Sequence, residues 1–158
     1  MTMNQQNCDI CNGPKIYGVM PTLIESDIWR VELNPTQKHL GRVFVGLRRH
    51  KATLGELTAS EVLEHHRIVI KLERALKATF KPDLINWLCL MNNAVRDGQE
   101  THVHWHMIPR YKHTVTFEGR EYVDDAMPGQ YNTGTRPSER ATMDEINAIS
   151  NLIRSNLS

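Results

Sequence analysis

Three histidines alternate in the stretch ETHVHWHMIPRY, residues 100 to 111: His102, His104 and His106, separated by Val103 and Trp105. Imidazole binds metals, carries protons and attacks electrophiles near neutral pH. The spacing therefore raises three chemistries: a metal centre, a covalent site, or a wet strand face. Alternate side chains of a strand share a face. That reading puts the three rings on one side and Val103, Trp105 and Met107 on the other, where they can pack on a core. A solvent-facing strand that carries histidine three times in register is the least economical account, because histidine is an uncommon residue. In a regular strand the outer two Cα atoms lie about 13 Å apart, which strains any single ion held by all three. Two of them with a third protein ligand could hold a zinc with an open position. A nucleophile asks for less. A neutral imidazole attacks phosphorus to give a phosphoramidate that water later cleaves, and donors on either side neutralise the growing charge.

Cys8-x-x-Cys11 is a second candidate. It supplies half of a four-coordinate metal site, or else two free thiols near the terminus. A thioredoxin-like redox role lacks the surrounding βαβ pattern. Cys89, inside the apolar run INWLCLM, reads as a core residue.

These residues need a scaffold. Residues 22 to 33 and 41 to 47 have the β-branched and aromatic content of strands, separated by a turn-like Asn34 to Leu40. Thr58-Ala59-Ser60-Glu61 fits a capping box that opens a helix to about Phe80, with Val62, Val69, Leu72 and Leu76 at helical spacing. Ile85 to Met91 reads as a buried strand, NNAVRDGQE as a loop, and the histidine stretch as the next strand. Residues 112 to 141, rich in Gly, Pro, Thr and charge, read as a surface excursion. A second capping box at Thr142 to Glu145 opens a final helix with Ile146, Ile149 and Ile153 inward. His65 and His66 fall on the long helix as solvated residues, and His39 and His113 in loops. The expected fold is α+β: one domain over residues 1 to 158, a mostly antiparallel sheet packed by a long helix and a C-terminal helix.

Nineteen basic and eighteen acidic residues leave the 158-residue chain almost neutral, with no general electrostatic reason to bind nucleic acid or a membrane surface. Arg48, Arg49 and Lys51 read as a solvated charge run. No run has the length of a membrane span. The amino terminus is polar, without the apolar core of a signal peptide, and three cysteines argue against a disulfide framework. A cytoplasmic protein is the expectation.

HVHWHMIP resembles the histidine-triad (HIT) signature, His-φ-His-φ-His-φ-φ with φ apolar. Asn92-Asn93 followed by Asp97-Gly98-Gln99 resembles the family's Asn…Gly-Gln approach to the triad, and Gly41 to Val45 leading to Arg49-His50 its Gly-His-x-Leu-Val…Lys-x-His strand. The resemblance implies a nucleotide hydrolase or nucleotidyl transferase acting at the α-phosphorus of dinucleoside polyphosphates, nucleoside phosphoramidates or related adenylylated compounds. It implies His104 as nucleophile, His102 and His106 orienting and polarising around it, Gln99 near the phosphate, Asn92 lining the site, and Glu32 accepting hydrogen bonds from the ribose hydroxyls. It further implies a purine nucleotide, a homodimer, no organic cofactor, and a structural zinc held by Cys8, Cys11, His50 and His102. Departures are visible. The Gly-Gln loop is one residue shorter, and Glu100 stands where a hydroxyl residue often assists the leaving group, with Thr101 as the substitute. Arg42 replaces a histidine and Leu47 a proline. These bear on substrate preference and rate. The reading from another class is a nucleotide-binding, zinc-stabilised interaction protein with little or no turnover.

Overall fold

The computed structural model describes residues 7–13, 15, 18–130 and 140–157. Five strands form one sheet: β1 (Thr22–Ile24), β2 (Trp29–Leu33), β3 (Val43–Leu47), β4 (Leu84–Leu88) and β5 (His104–Arg110). Their order is β1-β2-β3-β5-β4, and every pairing is antiparallel. The α+β expectation holds, and Thr22 to Leu33 divides into two strands. The division falls at Ser26, whose hydroxyl accepts the backbone N–H groups of Ile28 and Trp29 at 3.2 and 3.1 Å and turns the chain.

The Thr58 capping box opens helix α1 (Ala59–Thr79), with Thr58 and Glu61 bonded reciprocally. Its core stripe is Ile68, Leu72, Ala75 and Leu76, while Val62 is half exposed. Leu72 and Leu76 of the expected stripe are therefore in the core and Val69 is partly buried; the stripe departs from expectation at its start, where Ile68 and not Val62 is covered. His65 lies on the true stripe. Instead of being solvated it packs between Trp29, Trp87 and Trp105, at ring separations of 5.2, 5.6 and 4.9 Å. His39, expected in a loop, is buried beside Asp124, with Nδ1 3.5 Å from the carboxylate.

Strand β4 stops at Leu88, short of the expected Met91, and is half-buried because it forms a sheet edge. The expected loop that follows begins with a short helix, α2 (Asn92–Arg96). Within the expected excursion the chain forms a hairpin, β6 (Val115–Phe117) and β7 (Arg120–Tyr122). Glu118 and Gly119 both have positive φ, as a two-residue turn of that twist requires. Beyond it Asp124 pairs with buried Arg110, pinning the segment to the sheet. Residues 131–139 of the excursion lie outside the described residues. Helix α3 (Met143–Arg154) opens with its capping box and turns Ile146, Ile149 and Ile153 inward, as expected.

The core lies on one face of the sheet. Trp29, Val31, Leu33, Val43, Val45 and Met107 meet the apolar stripes of α1 and α3 there. Gly41 closes the turn into β3 with φ +82°, and a Cβ at that position would stand 2.8 Å from Leu76 Cδ2. Gly41→Ala is expected to cost about 1–3 kcal/mol, from left-handed strain together with that contact. A denaturant midpoint equal to that of the native chain would contradict it.

Candidate active site and metal cluster

Cross-strand partners share a face. The β3–β5 register sets Gly46 opposite His104 and Phe44 opposite His106, and the β2–β3 register sets Arg30 opposite Gly46 and Glu32 opposite Phe44. Arg30, Glu32, Phe44, His104 and His106 therefore form one polar–aromatic face behind which the core packs. The Phe44 ring folds across Gly46, where a Cβ would stand 2.6 Å from Phe44 Cε1. The missing side chain is what lets Phe44 stack on His104, at 5.5 Å and 25°, with its edge toward His106. His104 and His106 meet edge to face at 4.9 Å.

His102 sits before the first residue of β5 and has different company. Its Nε2 lies 2.7 Å from the Leu47 carbonyl. A carbonyl only accepts, so Nε2 carries the proton and Nδ1 presents a lone pair. That lone pair faces Cys8 Sγ at 3.3 Å and Cys11 Sγ at 3.4 Å. His50 Nδ1 approaches Cys11 Sγ at 3.5 Å. The ligand atoms of Cys8, Cys11, His50 and His102 all lie within 4.8 Å of one another, a group able to hold a metal ion. Bonds of about 2.3 Å to sulfur and about 2.0 Å to nitrogen put S and N about 3.5 Å apart around a tetrahedron, which the measured separations match. Burial, followed by the neighbouring Cys8 sulfur, pushes the Cys11 thiol up to about 12. A cation between the sulfurs would offset that cost and stabilise thiolate.

His104 Nδ1 lies 2.7 Å from the His102 carbonyl. The same reasoning assigns the proton to Nδ1 and leaves Nε2 bare. Burial lowers the pKa of all three rings: His102 to about 4, His106 to about 3 with Arg42 and His104 adding repulsion, and His104 in the same direction. They are neutral at pH 7. A neutral imidazole with a fixed tautomer can act as nucleophile or base.

The remaining sequence-derived residues divide. Glu32 lies in the cross-strand row of His106, half-buried, with Oε2 3.3 Å from Arg30 Nε. Burial raises its pKa, against the opposing pull of Arg30 and then Arg48. Gln99 turns its amide to Asp9, with Nε2 donating to Oδ1 at 2.7 Å. Asn92 is exposed at the start of α2, and Thr101 is half-buried just before His102. Sequence reasoning missed Arg30, whose guanidinium lies over Phe44 at 5.4 Å, and Phe44 itself. The signal was available: positions 30 and 32, like 44 and 46, alternate with core residues on their strands.

A family model, the HIT domain, matches residues 29–113, more than half of the chain. The chain belongs to the HIT family. No curated protein matches this HIT protein in sequence. Its fold resembles a Hit-like protein involved in cell-cycle regulation from Bartonella henselae, with TM-score 0.67 and 16% identity, covering 96% of this chain and 97% of that one. A Zn-bound histidine triad family protein from Mycobacterium smegmatis aligns with TM-score 0.60 and 16% identity, over 97% and 94%. A diadenosine triphosphate hydrolase from Plasmodium falciparum, in complex with Cyclomarin A, aligns with TM-score 0.56 and 15% identity, over 84% and 73%. At these identities the likeness is one of fold. For this HIT protein, metal analysis is expected to find about one ion per chain. Cys8→Ser with Cys11→Ser should lose it and lower thermal stability. A metal-free native chain after metal is supplied would contradict the cluster.

Proposed function

We infer that this HIT protein hydrolyses or transfers a nucleotidyl group by attack of His104 on the α-phosphorus of a nucleotide. The observation that carries the reading is the bond from His104 Nδ1 to the His102 carbonyl, 2.7 Å long, which directs an unprotonated Nε2 away from the strand. In the proposed reaction the Nε2 lone pair forms a bond to phosphorus and the bond from phosphorus to the leaving group breaks. The leaving group takes a proton from solvent, and the water that later attacks returns one. Water, or an acceptor in a transfer reaction, then cleaves the phosphorus–nitrogen bond and restores the imidazole.

Substrates of this reading are dinucleoside polyphosphates or nucleoside phosphoramidates, with a purine base. His106 polarises the phosphate from the neighbouring position, and His102 acts through its carbonyl, since both its ring nitrogens face other partners. Gln99 serves the phosphate, Thr101 substitutes for the hydroxyl that assists the leaving group, Asn92 lines the site, and Glu32 takes the ribose hydroxyls. Zinc is the ion proposed for the cluster: two thiols and two imidazoles are a structural zinc donor set. It pins the Cys8–Cys11 segment to the sheet. Cys8, Cys11 and Cys89, none of them in a disulfide among the described residues, fit a cytoplasmic setting. Among the described residues no helix is long and apolar enough to cross a membrane. A homodimer joined along the open edge of β4 fits the exposed Leu84 on that strand and Val62, Leu63 and Ile70 on the adjoining helix. A nucleotide-binding role with little turnover is the second reading. It is favoured by Glu100 at the leaving-group position and is separated from the first by turnover assays on a substrate panel.

His104→Ala is expected to abolish turnover with the fold intact, and near-native activity with every substrate would overturn the assignment. The depressed pKa of His104 has a direct consequence. The ring stays unprotonated below pH 6.5, so the acid limb of kcat/KM should fall below that pH; a limb above it would contradict a buried nucleophile. Glu32→Ala is expected to weaken ribonucleotide binding by roughly ten- to a hundredfold, from loss of a charge-assisted bond worth about 1.5–3 kcal/mol. A 2′-deoxy ligand should lose less on the same substitution, and equal losses for the two sugars would remove Glu32 from the ribose.

A further inference from the structure

The segment that carries Cys8 and Cys11 reaches both walls of the site. On one side Arg30, which pairs with Glu32, donates from Nη2 to the Ile10 carbonyl at 3.2 Å. On the other the segment grips the Gly98–Glu100 loop at three points. Asn7 Nδ2 donates to the Gly98 carbonyl at 3.1 Å, the Glu100 N–H donates to the Asn7 carbonyl at 2.9 Å, and Gln99 Nε2 donates to Asp9 Oδ1 at 2.7 Å. Asp9 is the residue directly after Cys8 inside the Cys-x-x-Cys pair. Gly98 adopts φ +65°, a left-handed turn at the residue before Gln99. The Gln99 N–H is held by the Ala94 carbonyl at 2.8 Å. Backbone and side chain of Gln99 are thus each held by a hydrogen bond, to two different parts of the chain.

We propose that Asp9 is a positioning residue: its carboxylate holds the Gln99 amide with one N–H left to donate to the substrate phosphate. This rests on the phosphate role given to Gln99 above. A carboxylate accepts and does not donate, so it can take only the NH₂ end of the amide. That choice fixes which end is nitrogen. The second N–H of Nε2 remains a donor, while the carbonyl oxygen, which would repel a phosphate, is turned to the other side. Without Asp9 the terminal torsion of glutamine is broad and roughly two-fold, and the oxygen occupies the donor's place part of the time. Because Asp9 lies between two metal-ligating cysteines, the cluster and the phosphate-facing loop become one mechanical unit. The role is independent of the metal's own chemistry.

The test compares the native chain with Asp9→Ala, Asp9→Asn, Gln99→Ala and the Asp9→Ala/Gln99→Ala double variant, using diadenosine triphosphate and an adenosine phosphoramidate as substrates. Asp9→Ala is expected to lower kcat by about tenfold with KM changed by about twofold or less, as for a donor engaged in the transition state. Metal content should stay at that of the native chain. Asp9→Asn keeps an acceptor at Oδ1 and should restore most of the rate. In the Gln99→Ala background, removing Asp9 should cost nothing further. The side-chain amide resonances of Gln99, read by nitrogen-15 NMR without substrate, should move in Asp9→Ala and stay in place in Asp9→Asn. The proposal is overturned by native kinetics in Asp9→Ala, by an Asp9→Asn loss as large as that of alanine, by additive losses in the double variant, or by loss of metal together with activity. A native chain that turns over neither substrate overturns the proposed function and this inference with it. Turnover in the native chain with no effect at Asp9 overturns this inference alone.

Discussion

The bond from His104 Nδ1 to the backbone carbonyl of His102 is the constraint on which the site turns. It spans two residues of one chain, so it forms only where the backbone enters β5 at a fixed angle. The entry is set from outside the strand. The Val103 N–H donates to the Lys51 carbonyl at 2.8 Å, and the Leu47 N–H to the Val103 carbonyl at 3.1 Å. The ring of His102 is then held between Leu47 and the two sulfurs. One residue therefore carries two duties. Its ring belongs to the group with Cys8, Cys11 and His50 that is able to hold a metal ion, and its carbonyl sets the tautomer of His104.

This arrangement works against solvation. Three imidazoles beside one another would be costly as cations, and burial holds each of them neutral. The unfolded rings bind protons near pH 6.5, whereas the folded His106 resists protonation until about 3. The stability contributed by a neutral buried ring is fully present above 6.5 and is lost as pH falls toward the folded value. His65 and His39, each pushed down to about 4 by burial, act in the same direction on other parts of the fold. Neutral imidazoles on the site face and a fold that weakens on acidification are thus two results of one desolvation.

Much of this was legible in the sequence because the signals were local. Each capping box needs only four consecutive residues, and both formed. The three inward isoleucines of the last helix follow from 3.6-residue periodicity. Alternation in β5 separated the chemical face from the packed one. Long-range facts were harder to read. The helix stripe was misread at its start because Val62 and Ile68 are both apolar, and only the neighbouring sheet decides which is covered, whereas Leu72 and Leu76 turned inward as expected. His65 was assigned to solvent because nothing next to it in sequence announces three tryptophans from β2, β4 and β5. Asp124, 14 residues beyond Arg110 in a segment rich in Gly and charge, gave no sign that it would be buried against it. The Cys8, Cys11, His50 and His102 set came from the family resemblance; its convergence depends on three separate parts of the chain meeting at one end of the sheet.

The two faces of β5 show why such a strand can hold reactive groups in place. On the packed side Trp105 lies against His65, which in turn contacts Trp29 and Trp87. Trp29 is anchored through its indole N–H to the Glu61 carbonyl at 3.1 Å, and Trp87 through its own to Glu73 at 3.1 Å. Large rings interlocked in this way leave little freedom for the backbone between them. His104 and His106, the immediate neighbours of Trp105, inherit that rigidity on the opposite face, where Phe44 can reach them only because Gly46 has no side chain. Bulk on one side and its absence on the other are matched requirements. A side chain that is to react must be held more closely than a hydrogen bond alone can hold it, and for His104 apolar packing one residue away, on the opposite face of the strand, adds to the bond from its Nδ1.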